Sequence, residues 1–445
     1  MSIGFIQVGQ CGNQIGDNIF KNLINELKTS SESFSQLILD SFFTISSQSN
    51  LLIPNSILID MESKVIEKIT KQSKSHNIKY NPSNIINKQS GSGNNWANGF
   101  FNHGPSIEKI FIEKFSKFTE NFDYLDTIIL INSLAGGTGS GLGSYINILL
   151  KDYFPEINIL NIAVWPHNSG EVIVNSYNTL FSISENYKVS DMMMIVNNQE
   201  IYDICKDIYN IKKIGFNDLN MVISKHIMST ISPINFNVDK NYSSNDIYVK
   251  PFNLNSFISE MIYFLCPNPK LKFVRLISTP EISEDNLKFT NNNWNSLIKR
   301  AAQMLKNYSN ESKVDWNQNE LIKNFKCACI YRGKNLNDIN NNINNNENNN
   351  NNNNVNDIKL LTNKQNCDFI EYKDINIVNK YEKSVTLLSN CNFFNKQIEN
   401  TLNKAKEMYM YNAFVHQYEK YGMSKDDFLE AFIFNQQIIS DYDNS

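Results

Sequence analysis

No stretch of this 445-residue chain approaches the ~20 consecutive apolar residues that a bilayer-spanning helix needs. Basic charge is not in excess either: 41 Lys and Arg stand against 45 Asp and Glu, a formal net charge of −4. That balance argues against a polyanion-binding surface, since no basic stripe accompanies the aromatic residues. The N-terminus lacks a basic leader, and Gln7 and Gln10 interrupt its apolar run, so no signal peptide is expected. The seven cysteines include no Cys-x-x-Cys pair, and the five histidines are dispersed, so zinc-type spacing is missing. Cys327 and Cys329 lie two apart, on one face of an expected strand, and read as core. Scattered thiols, odd in number, fit a reducing compartment. The expectation is a soluble, intracellular protein with two or three domains and sizeable cores.

Two common phosphate signatures are also missing. A Walker A loop requires Gly-x-x-x-x-Gly-Lys-Ser/Thr, and no lysine follows the glycines of Ala135-Gly-Gly-Thr-Gly-Ser-Gly-Leu-Gly-Ser144. The dinucleotide fingerprint Gly-x-Gly-x-x-Gly fails as well, its third glycine falling on Leu142 or Ser144. What is present is a buried-strand run, Thr127-Ile-Ile-Leu-Ile-Asn-Ser-Leu134, then the glycine loop, then a helical pattern of Tyr145, Ile146, Leu149 and Leu150. Glycines let backbone approach a ligand closely, and the free N–H groups at the helix start favour an anion. Ser133, Thr138 and Ser140 add hydroxyl donors. Two readings are open from these residues: a phosphate cradle and a merely flexible loop.

Other stretches repeat the arrangement. Ile3-Gly-Phe-Ile-Gln-Val8 reads as a strand breaking into Gly9-Gln-Cys-Gly-Asn-Gln-Ile-Gly16, followed by a helix. There Gln10, Cys11 and Gln14 point where a ligand could lie. Residues 34–52 show no clean periodicity and read as a loop. Ser56-Ile-Leu-Ile-Asp-Met-Glu62 is a strand ending in two acids, either a helix N-terminus or, beside phosphates, a Mg²⁺ site. Lys88-Gln-Ser-Gly-Ser-Gly-Asn-Asn-Trp-Ala97 is a further glycine loop, whose amides at Gly93 and Asn94 can reach a terminal phosphate. The tract 337–356, mostly asparagine, has no apolar pattern and is expected to be a disordered insertion.

The loops Gly9-Gln-Cys-Gly-Asn-Gln14, Asp60-x-Glu62, Gly93-Asn-Asn-Trp-Ala97 and Ala135-Gly-Gly-Thr-Gly-Ser-Gly141 together resemble the tubulin family, with Ala135 replacing a glycine. The likeness runs from Ile3 to Tyr442, interrupted by the asparagine tract and some loops. It implies an α/β fold: a GTPase domain with a parallel sheet flanked by helices (1–215), a core helix (216–235), a second α/β domain (236–379) and a C-terminal helical part (380–445). It implies GTP or GDP with Mg²⁺ as ligands. Gly136, Gly137, Thr138 and Gly139 would hold phosphate with Ser133, and Asp60 and Glu62 would hold the metal, directly or through water. Glu171 and Asn175 fall on the ribose loop, Asn175 standing where conventional subunits have glutamate. Asn198 and Asn220 match base-reading positions. Phe216 matches the aromatic that stacks on the purine, with a core aromatic as its plain reading; for Asn220 the plain reading is helix surface.

In conventional α-type subunits a glutamate activates hydrolysis on the neighbouring subunit, and Glu260 holds the matching position. The companion aspartate is replaced by Phe257, and a solvated helix acid remains open for Glu260. Lys88-Gln89, His103-Gly-Pro105, Val164-Trp-Pro166 and Gly170-Glu-Val-Ile-Val174 resemble the δ-type members of the family, as does the absence of a glutamate-rich tail. That likeness implies work with other tubulin subunits or microtubule components at centrioles, basal bodies or axonemes, in the cytoplasm, without nucleic acid or membrane. A regulator on the same fold that does not polymerise is an alternative, and a dinucleotide-dependent enzyme on a doubly wound sheet is another.

Overall fold

The strands are β1 (Ser2–Val8), β2 (Phe43–Ile45), β3 (Leu52–Pro54), β4 (Ser56–Asp60), β5 (Ile85–Asn87), β6 (Leu125–Ser133), β7 (Asn158–Trp165), β8 (Met192–Asn197), β9 (Phe273–Thr279), β10 (Asn324–Gly333), β11 (Asp368–Asp374) and β12 (Lys383–Cys391). The computed structural model describes residues 2–45, 51–167, 172–234, 257–283, 286, 292–306, 322–339, 358, 362 and 365–445. Ten strands join one sheet in the order β11-β10-β12-β9-β8-β7-β6-β1-β4-β5, and β2 and β3 form a separate antiparallel ribbon. From β5 to β9 every pairing is parallel, whereas β12 runs antiparallel between β9 and β10.

The helices are α1 (Gly9–Leu27), α2 (Glu32–Phe42), α3 (Ser63–Ser73), α4 (Gly104–Thr119), α5 (Gly143–Tyr153), α6 (Asn175–Val189), α7 (Asn198–Asp207), α8 (Phe216–Ile231), α9 (Phe257–Leu265), α10 (Trp294–Lys306), α11 (Asn395–Met410), α12 (Val415–Glu419) and α13 (Lys425–Asn444). Alternation along each strand sends successive side chains to opposite faces. In β6, Ile129 and Ile131 join a core with Ile15 and Ile19 of α1 and Val222 and Ile223 of α8. Ile128 and Leu130 join the opposite core, with Phe111 and Phe115 of α4 and Ile146 of α5. Each such side chain contributes about 1.5–3 kcal/mol by leaving water, which is why the continuous apolar run forms a central strand. The C-terminal helices α11 and α13 pack on the second face beside α6, where Ile398, Ile438 and Tyr442 meet Tyr187 and Phe273.

Of residues 34–52, expected to be a loop, 46–50 lie outside the described residues, and 34–45 are instead helix and strand. Ser31 accepts from the Phe34 amide at 3.4 Å and starts α2, whose Phe34, Ile38 and Phe42 are buried against β1 and α1. Their four-residue spacing is a helical stripe that the intervening serines disguised. The glycine stretch after β1 is likewise no free loop: α1 begins at Gly9, whose φ of +72° turns the chain directly from strand into helix. Of the tract 337–356, residues 337–339 are helical and the remainder lies outside the described residues. Among the described residues no helix is long and apolar enough to cross a membrane.

Candidate functional site

Parallel strands align their ends. Val8 pairs with Ile59, Gln7 with Ile131, Ser133 with Val164 and Trp165 with Asn197, so β1, β4, β6, β7 and β8 finish along one edge. Crevices at such carboxyl edges are where open α/β sheets receive ligands. The first turns of α1 place Gln10, Cys11 and Gln14 there, Gln10 exposed and the other two half-buried. Its apolar surroundings push the Cys11 thiol up to about 12, so it is a neutral thiol at this edge. The Asn220 amide of α8 donates to Gln14 Oε1 at 3.0 Å, joining two expected site residues across helices.

The glycine loop after β6 is divided in its roles. Thr138–Leu142 forms a wide helical turn leading into α5. A Cβ added at Gly136 would meet nothing within 4 Å, so this backbone faces open space. A Cβ at Gly137 would come within 2.6 Å of Ser92 Cβ and 2.7 Å of the Asn95 nitrogen, so Gly137 lets the loop 88–95 lie directly against it. Thr138 and Ser92 share a hydroxyl hydrogen bond of 2.8 Å across the same contact. Gly139 is buried, its carbonyl accepting from Asn132 at 2.9 Å. Ser133 Oγ accepts from the Ala135 amide at 3.3 Å, bracing the loop at its root. Gly93 and Asn94 both have positive φ, +57° and +51°, and expose the tip of their loop to the same crevice.

Asp60 closes β4. Its Oδ1 accepts from the Glu62 amide at 3.3 Å, whereas its buried Oδ2 has no hydrogen-bond partner. Burial raises the carboxyl to about 6. An unsatisfied buried carboxylate oxygen is costly, and a cation is the group that relieves it. Glu62 is exposed and bridges to Gln89 of the loop 88–95. Among the described residues no cluster of three or more acids, histidines or cysteines is placed to hold a metal. The two neighbouring carboxylates Asp60 and Glu62 are of the kind that Mg²⁺ takes, one or two at a time, with phosphates and water completing its shell.

Asn175 opens α6 and Asn198 opens α7, both half-buried at the same edge. Asn197 caps α7 by accepting from the Gln199 amide at 2.9 Å, which leaves the following Asn198 side chain free of the capping duty. Phe216, first residue of α8, is 52 % exposed, so it is not the core aromatic of the plain reading. Asn220 is 4 % exposed, so it is not helix surface. Glu171 lies outside the described residues. Glu260 is not brought to this edge. It stands in the first turn of α9, next to Ser259, whose Oγ accepts from Asn158 at 3.4 Å. Asn158 is the first residue of β7, so α9 lies at the amino ends of the strands, roughly 20 Å or more from the cradle at 3.3 Å rise per residue.

Sequence reasoning assigned no role to Asn178, although it closes the motif Ser176-Tyr-Asn178. Fully buried, it donates to the Asn94 carbonyl at 2.8 Å and to the Ala135 carbonyl at 2.7 Å. Its Oδ1 accepts from the Trp96 amide at 2.9 Å and the Tyr418 hydroxyl at 2.7 Å. One side chain thus ties both glycine loops to each other and to the C-terminal segment.

Comparison with known proteins agrees with this geometry. The Tubulin/FtsZ family GTPase domain matches residues 2–206. The tubulin delta chain of Homo sapiens is 31 % identical over 463 residues, covering 100 % of both chains, and that of Macaca fascicularis is 30 % identical over 474, again covering both completely. A tubulin beta-2 chain of Emericella nidulans is 24 % identical over 452 residues, 98 % of this chain and 93 % of that one. A lysine-free glycine loop at the carboxyl edge of a parallel sheet, and likeness to delta chains from end to end, lead to one conclusion: this chain belongs to the tubulin family.

Proposed function

We propose that the chain binds GTP or GDP with Mg²⁺ at the carboxyl edge of its sheet and acts as a δ-type cytoskeletal subunit, in microtubule-based assemblies at centrioles, basal bodies or axonemes. The observation that carries this reading is the convergence of the β1–α1 turn, the Asp60/Glu62 pair, the loop 88–95 and the loop 133–139 on one crevice, with a buried Asp60 oxygen left unsatisfied. Phosphate lies against the open backbone at Gly136 and the hydroxyl of Thr138. Asp60 and Glu62 hold the cation, which neutralises triphosphate charge when bound. Phe216 offers an exposed ring for the purine, and Asn198 and Asn220 offer amides for its edge. Asn175, with Glu171, takes the ribose; an amide can hydrogen-bond a sugar hydroxyl as donor or acceptor.

Hydrolysis, in this reading, is completed by a second subunit. Glu260 lies at the opposite end of the sheet from its own cradle, so it can serve only the nucleotide of a molecule stacked end to end. A carboxylate within hydrogen-bond reach of water can orient it and accept its proton. A second reading, a nucleotide-binding regulator that does not polymerise, is favoured by Phe257: its ring packs edge-on against Tyr372 at 4.8 Å, so packing has replaced an acid there. The test is to denature gel-filtered protein and identify what it releases, and to localise the tagged chain in ciliated cells. Guanine nucleotide in the supernatant and signal at basal bodies support the first reading. Protein free of guanine nucleotide and spread through the cytosol contradicts it.

A further inference from the structure

Cys327 is fully buried in β10, and Cys367, 7 % exposed, stands immediately before β11. The two are 40 positions apart in sequence, yet their sulfurs lie 3.6 Å apart. That is van der Waals contact; a disulfide of ~2.05 Å requires an approach of only about 1.5 Å. Both are free thiols, and both sit in an apolar core with Trp294 and Leu297 of α10 and Leu387 of β12. Neither belongs to the nucleotide crevice, since β10 and β11 lie at the other edge of the sheet from β5. The sulfurs are also ordered in a chain of donors. The Cys367 thiol donates to Cys327, the Cys327 thiol donates to Ser389 Oγ at 3.3 Å, and Ser389 donates to Asn324 at 2.7 Å.

We propose that Cys327 and Cys367 form a reversible disulfide under hydroperoxide, a modification that staples the edge strand β11 to β10. Cys367 has the path to solvent and reacts first. Its sulfur attacks the peroxide, the O–O bond breaks, and a sulfenic acid forms as one water leaves. The Cys327 sulfur then attacks the sulfenic sulfur. The S–S bond forms, the S–O bond breaks, and the departing hydroxide takes the Cys327 proton as a second water. Two thiols lose two electrons in all, and one hydrogen peroxide is reduced to two waters. Burial pushes the Cys327 thiol well up, so it stays protonated and unreactive until a sulfenic sulfur is set against it.

The staple has a mechanical consequence. Among the described residues β11 pairs with β10 alone, from Lys326↔Asp368 to Arg332↔Asp374, so its outer side can fray. A bond at the residue just before it fixes that end, and closes a covalent loop around the asparagine-rich stretch between the two cysteines.

The experiment treats the full-length protein with hydrogen peroxide, blocks the remaining thiols, and maps peptides by mass, with amide exchange followed in parallel. The expected result is a Cys327–Cys367 linked peptide, loss of two of the seven thiols, and reversal by dithiothreitol. Exchange of β11 amides slows by about ten-fold when local opening there is restrained. Cys367→Ser abolishes the link, and Cys329→Ser keeps it. Persistence of all seven thiols, sulfinic acid at Cys367 without a link, or a link to any other cysteine overturns the proposal. The unsubstituted protein alone decides between these outcomes, whether or not the variants fold.

Discussion

The Asn178 amide donates to the Ala135 carbonyl at 2.7 Å while the same nitrogen reaches the Asn94 carbonyl at 2.8 Å. One buried side chain of α6 therefore helps to set the spacing between the two glycine loops, alongside the Ser92–Thr138 hydrogen bond. Replacing Asn178 by Ala strands two carbonyls, the Trp96 amide and the Tyr418 hydroxyl. Each buried group left unpaired costs about 1–3 kcal/mol. The expected outcome is a fall in denaturation midpoint together with a loss of nucleotide affinity of at least ~10-fold, because cradle donors lose their alignment. Lower stability with unchanged affinity would mean that Asn178 only holds the fold.

Gly136 faces open space whereas Gly137 packs against the loop 88–95, so the two glycines test the proposed ligand contact separately from loop packing. Gly136→Val adds its branches to open space, so stability should be kept while nucleotide affinity falls by at least ~10-fold through lost cradle hydrogen bonds. Gly137→Val drives into Ser92 and the Asn95 backbone, so it should cost about 1–3 kcal/mol of stability as well. Titration and thermal unfolding of both variants check this. The opposite assignment, Gly136→Val unfolding and Gly137→Val benign, contradicts the placement of the loop.

The turns at the carboxyl edge were legible because glycine demands are local: Gly9 and Gly93 adopt positive φ, and such demands appear directly in sequence. Residues that act through long-range contacts leave no such mark. Asn178 is one asparagine among many, and its importance arises only from loops 43 and 84 positions away in the chain. The helix over Glu32–Phe42 was hidden for a different reason: serines between Phe34, Ile38 and Phe42 lowered its helical propensity, and burial against Phe5 and Phe20 overrode them. Phe216 and Asn220 reversed their plain readings because exposure depends on what α8 packs against, and periodicity within α8 does not contain that information.

Asp60 links function to stability. Its carboxyl is raised from 3.8 to about 6 by burial, so the folded, ligand-free protein holds this proton more tightly than the unfolded chain. The stabilising contribution is full below about pH 4 and is lost as pH rises through about 6. Asp60→Asn should therefore raise the unfolding midpoint of nucleotide-free protein at pH 7.5, with little effect at pH 4, and should weaken Mg²⁺-dependent nucleotide binding. Thermal scans across pH with and without Mg²⁺ provide the check. A variant less stable than the parent at pH 7.5 would contradict the reading of an unsatisfied carboxylate.

The role proposed for Glu260 predicts that turnover depends on assembly. The isolated chain should hydrolyse GTP negligibly, and stacking of a second subunit should stimulate it by ~10²–10⁴-fold if the acid acts as general base. Glu260→Ala should remove the stimulation and leave GTP affinity unaltered. Phosphate release measured against protein concentration distinguishes the cases. Equal turnover per chain at all concentrations, or full stimulation in the variant, leaves Glu260 as a half-buried residue of α9 with no part in hydrolysis.

The central claim is that the crevice is a guanine-nucleotide site, and competitive calorimetric titration of nucleotide-stripped protein tests it most directly. With Mg²⁺ present, GTP is expected to bind one per chain, ATP to bind at least ~10-fold more weakly because Asn198 and Asn220 read the purine edge, and NAD not to compete. Binding of ATP or NAD as tight as that of GTP, or no binding of GTP by folded protein, contradicts the account.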